Sequence, residues 1–63
     1  MMIALFGNNG LRYVSWYGRI CKDIDLALST TDVVEVRKAG KKWKDRGYKV
    51  YIISDLGEII ERI

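Results

Sequence analysis

A single well-punctuated helix signal between Ser29 and Gly47 does most to constrain this 63-residue chain. Ser29-Thr30-Thr31-Asp32 is a cluster of residues that favour the N-cap, and Glu35 follows Asp32 at capping-box spacing. A helix over residues 32–46 places Val33, Val36, Ala39, Gly40 and Trp43 on one face. Gly47 then falls where a left-handed C-cap is expected, and Lys44 and Arg46 occupy the last turn, where the helix dipole favours cations. Intrinsic propensity opposes the assignment through three valines and the internal Gly40. The competing reading makes Val33 to Arg37 a strand and the whole chain a small five-stranded β-barrel. A chain of this length holds one domain, residues 1–63, and buries only roughly 60% of the surface its unfolded form exposes.

The remainder reads as strands and turns. Met2 to Phe6 and Leu11 to Trp16 flank Gly7-Asn8-Asn9-Gly10, whose residues tolerate the positive φ of tight hairpins. Tyr17-Gly18-Arg19 resembles a second turn. Beyond it Ile24, Leu26 and Leu28 alternate with Asp23, Asp25 and Ala27 as a third strand would. Helical spacing also fits Ile20, Cys21, Ile24, Ala27 and Leu28, and the strand is preferred because Gly18-Arg19 closes a hairpin well. Tyr48 to Ser54 is rich in aromatic and β-branched residues, Asp55-Leu56-Gly57 turns the chain, and Glu58 to Ile63 returns as a final strand. The expected fold is α+β: a single, mostly antiparallel sheet of four to five strands with one helix packed on one face, in the order βββαββ.

Charge is distributed unevenly. Between Arg37 and Lys49 lie seven basic residues and one acid, Asp45, so that segment carries +6 while the rest of the chain carries −3. With the apolar stripe turned inward, Arg37, Lys38, Lys41, Lys42 and Lys44 spread over the outer helix face, and Lys49 follows. Asp45 lies four residues after Lys41 and three after Lys42, which pairs part of that charge locally. A helix presenting these cations suits an anionic partner: nucleic acid first, an acidic protein surface second.

Few groups suit catalysis. With no His, the commonest general base and metal ligand is missing, and one Cys excludes an internal disulfide or a Cys-only zinc site. Cys21 reads as a small apolar residue, which as a nucleophile would depend on Arg19 or Lys22 for activation. Asp23 and Asp25 would share a strand face but lack further acids for a metal, and Asp55 and Glu58 are explained by turn chemistry. Gly7-Asn8-Asn9-Gly10 precedes a strand rather than a helix, which argues against a phosphate-binding loop. A non-enzymatic protein without cofactor, metal or small-molecule substrate is expected. Met1 to Phe6 resembles neither a secretory leader nor a membrane span, so a cytoplasmic setting with Cys21 reduced is expected.

One helix covers one face of a sheet. Val14, Trp16 and Ile20 share a parity, as do Val50 and Ile52, so these residues are expected beneath the helix. Tyr13, Tyr17, Tyr51 and Ile53 take the opposite parity and are expected to form an uncovered aromatic face. A homodimer interface is the first expectation for that face, and a stacking platform for unpaired bases, bordered by Arg12, Arg19 and Lys49, is the second. In size, basic bias and lack of catalytic groups the chain resembles the small accessory proteins of phages and mobile elements. The resemblance is one of type, carried by no motif, and it transfers no residues. It implies a protein that binds nucleic acid or docks on a host protein as an inhibitor or regulator through the aromatic sheet face or a strand edge.

Overall fold

The computed structural model describes residues 1–63. Five strands and one helix follow one another as β1 (Met2–Gly7), β2 (Gly10–Val14), β3 (Ile20–Cys21), α1 (Val33–Asp45), β4 (Lys49–Ile53) and β5 (Ile59–Arg62). A single 3₁₀ turn at Ile24–Leu26 lies between β3 and α1. The strands form one sheet in the order β3-β2-β1-β4-β5, antiparallel throughout. The sheet is open, with β3 and β5 as its edges, so the barrel alternative is overturned and the α+β expectation holds.

Three hairpins share one turn chemistry. In Gly7-Asn8-Asn9-Gly10, Ser15-Trp16-Tyr17-Gly18 and Ser54-Asp55-Leu56-Gly57, only the fourth residue has positive φ: 84° at Gly10, 71° at Gly18 and 86° at Gly57. The central residues keep negative φ, which is the geometry of a turn followed by a glycine bulge. The two asparagines therefore do not use their tolerance for left-handed backbone; Gly10 alone carries it. In the two serine-led turns the hydroxyl adds a bond, accepting from Arg19 N–H at 3.2 Å and from Glu58 N–H at 3.1 Å.

Asp32 caps α1, its Oδ1 accepting from Val34 N–H (3.0 Å) and Glu35 N–H (3.2 Å). Thr30 Oγ1, rather than Glu35, accepts from Asp32 N–H, so only half of a capping box forms. Burial decides the contest with propensity: Val36 is fully buried, worth about 1.5–3 kcal/mol, against a few tenths for a β-branched residue in a helix. Gly40 lets β4 and the C-terminal residue approach closely: a Cβ there would displace the tip of Ile63 and lie 3.3 Å from Val50 Cγ1.

The predicted third strand is cut short. Only Ile20 and Cys21 pair with β2, opposite Val14 and Tyr13. Asp23 then accepts from Asp25 N–H at 2.9 Å, and this local bond turns the chain into the 3₁₀ segment instead of extending it. Ala27 bridges to Ser15, and Leu28 N–H donates to Val14 O at 2.8 Å.

The apolar side chains sort into two clusters, one on each side of the sheet. Ile3, Leu5, Val14, Val50 and Ile52 meet Val36 and Trp43 of the helix. On the far side Met2, Ala4 and Ile53 pack with Ala27, with Ile24, Tyr13 and Tyr51 against them. The 3₁₀ segment thus roofs part of the face expected to lie bare. Ile53, expected uncovered, is only 4% exposed. Trp16 and Tyr17 also depart from the parity argument, because both sit in the β2–β3 turn rather than on a strand, 63% and 90% exposed.

Candidate nucleic-acid interface

The helix lies mainly over β4 and β1; on β2 it reaches Val14 but leaves the β3 edge, with Ile20 38% exposed, uncovered. That offset opens a trough between the helix flank and the first two hairpins. One half, of about 410 Å³, runs from Val14 and Trp16 to Lys38 and Lys42; the other, of about 320 Å³, lies between the Gly7–Gly10 turn, Arg12 and Tyr48. Arg46 lines both.

The fold divides the cations assigned to one surface. Lys38 and Lys42 line the trough. Lys41 and Lys44 are exposed along the rest of the helix, and neither Lys41 nor Lys42 forms the expected ion pair with Asp45. Arg37 turns to the opposite flank and is engaged by Glu61 of β5 in a two-pronged bond, Nε to Oε2 at 3.0 Å and Nη2 to Oε1 at 2.8 Å. Lys49 pairs with Phe6 in register and points to the sheet side away from the helix. Strand alternation alone gives that result, since Val50 and Ile52 face the helix.

Arg12, expected to border the aromatic face, lies instead on the helix side, and Arg46, read only as a cation of the last helical turn, joins the site; the sequence carries signals for both. Arg12 shares the parity of Val14, and Arg46 follows Lys42 by one helical turn. Both guanidiniums are held in place. Arg46 lies 4.6 Å from the centroid of the Trp43 ring, and Arg12 Nη1 donates to Leu11 O at 2.8 Å. The molecule's two ion pairs, Met1 ammonium–Asp55 and Arg37–Glu61, take none of Arg12, Lys38, Lys42 or Arg46. Those four positive charges meet one acid at the trough, Glu35.

The Glu61 carboxyl is held below its ordinary value by the Arg37 hydrogen bonds first and then by the charge of the same group, against partial desolvation. Asp55 is lowered as well, chiefly by the Ser29 hydroxyl at 2.8 Å and then by the Met1 ammonium. A depressed carboxyl contributes stability that is complete above its unfolded pKa and lost as pH falls through the folded one. Thermal melts should therefore hold steady down to the ordinary glutamate value of 4.5 and decline below it. Glu61→Gln should flatten part of that decline, and an unchanged acid profile would dissociate the pair from stability. Because the pair is exposed, the effect should be small and weaken with salt.

The remaining candidates are occupied structurally. Desolvation and then Asp23 push the Cys21 thiol up, and its Sγ–H donates to Tyr13 O at 3.5 Å, so the thiolate is disfavoured. Asp23 is the cap of the 3₁₀ turn. On the far side, Phe6, Leu11, Tyr13, Tyr51 and Ile59 border an apolar depression of about 130 Å³, with Arg62 5.9 Å from the Tyr51 ring. Tyr17 is not part of it. No helix is long and apolar enough to cross a membrane. Comparisons with protein-family models, curated proteins and solved structures give no match to this chain.

Proposed function

We propose that the protein is a non-enzymatic nucleic-acid-binding module whose contact surface is the trough beside α1. The observation that carries this reading is the placement of Arg12, Lys38, Lys42 and Arg46, none in an ion pair, along two depressions that share Arg46 and hold a single acid. Lysine and arginine at such a surface displace condensed counterions from phosphates and position a strand without reading its bases. Two of the four cations are already ordered by Trp43 and by the Leu11 carbonyl, which lowers the entropic cost of gripping a phosphate.

Filter binding and gel retardation test it. Lys38→Gln, Lys42→Gln and Arg46→Gln combined should remove most retention at near-physiological salt while circular dichroism stays unchanged. The pair Lys41→Gln and Lys44→Gln, outside the trough, should cost much less. Equal losses from the two sets, or retention untouched by either, would overturn the assignment. A second reading, association through the apolar depression around Phe6 and Tyr51 with another copy or a regulated protein, is favoured by the exposed Leu11 and Ile59 beside it. Sedimentation velocity without nucleic acid addresses self-association, and a single-chain mass would remove the homodimer.

A further inference from the structure

We infer that the trough takes single-stranded nucleic acid, with an unpaired base stacked on Trp16. This rests on the nucleic-acid reading above and narrows its ligand.

Trp16 is an unusual occupant of its position. The central places of tight turns ordinarily go to small polar residues, yet this indole is 63% exposed and belongs to neither apolar cluster. The fold does not spend it on stability. Its turn is nevertheless firmly tied: Ser15 N–H donates to Arg19 O at 2.7 Å, Gly18 N–H to Ser15 O at 3.0 Å, and Arg19 N–H to the Ser15 hydroxyl at 3.2 Å. The ring is thus presented on a braced turn at one end of the trough whose flank carries Lys38, Lys42 and Arg46.

That pairing of an open aromatic face with an adjacent row of exposed cations is the recognition chemistry of unpaired strands, in which bases stack while the backbone tracks positive charge. A duplex keeps its bases stacked on one another and offers none to Trp16. Duplex reading also calls for an element that protrudes into a groove, whereas these cations surround a depression.

The test measures binding of oligo-thymidylate, an abasic strand of equal length and charge, and a duplex to the wild type, Trp16→Ala and Trp16→Phe. The wild type should bind oligo-thymidylate at least about fivefold more tightly than the abasic strand. Trp16→Ala should erase that difference, and Trp16→Phe should restore part of it. If the wild type binds the duplex as tightly as the single strand and does not distinguish the abasic strand, the stacking inference falls and the nucleic-acid reading stands. If none of the three is retained, both fall.

Discussion

Leu5→Ala is expected to remove about half of the stability of the fold. Leu5 lies in the central strand with 0% exposure, paired with Arg12 of β2 and Val50 of β4, in the cluster beneath the helix. Truncating a fully buried leucine costs about 2–5 kcal/mol in lost transfer free energy plus the cavity left behind. At the usual 0.05–0.15 kcal/mol per residue, a domain of this length has only about 3–9 kcal/mol in total. At mid-range values one substitution therefore removes about half of what holds the fold. Urea titration followed by circular dichroism should show the midpoint falling steeply with little change in slope. Leu11→Ala, at an exposed position on β2, is the matched control and should change the midpoint little. Comparable losses from both would mean that the core is not organised around β1.

Affinity for single strands should fall about fiftyfold when salt rises from about 50 to about 200 mM. Four cations neutralising four phosphates give a slope of about −3 in the logarithm of affinity against the logarithm of salt. Removing one trough cation should lower the steepness by about 0.7. The contribution of Trp16 carries no charge, so what binding persists at high salt should depend on that ring more than on any lysine. A flat salt profile would remove phosphate from the interface altogether, whatever the fate of the stacking contact.

The sequence was most legible where one physical cause acts locally. Asp32, the Val36–Gly40–Trp43 stripe and Gly47 define the helix to within a residue at each end, because capping and burial act on the same segment. The hairpins are legible through Gly10, Gly18 and Gly57, each at the one turn position that needs positive φ. Legibility failed where two local preferences competed. Alternation over Ile24, Leu26 and Leu28 argues for a strand, but the Asp23 carboxylate bonds Asp25 N–H and ends it.

For the candidate site, charge was legible and direction was only partly so. A run of Lys and Arg announces a basic helix, but its sides are distinguished only by what lies beside them. Glu61 claims Arg37 from one side, and the trough collects Lys38, Lys42 and Arg46 on the other. Lys49 could have been assigned from its alternation with Val50. The helix's offset toward β4 follows from tertiary packing around Gly40 and Ile63, which no local pattern reveals.

The placement of β1 at the centre of the sheet bears on how the molecule is assembled in time. Its partner β2 follows within a hairpin, but β4, on its other side, pairs Phe6 with Lys49, some forty residues later. During synthesis an apolar strand, Met2 to Phe6, must wait with one edge unpaired while the second and third strands and the helix are made. The helix, complete just before β4, is positioned to deliver it. Folding should accordingly be limited by closure of that long loop, and the waiting edge of β1 is where a partly made chain is most exposed to pairing with a neighbour.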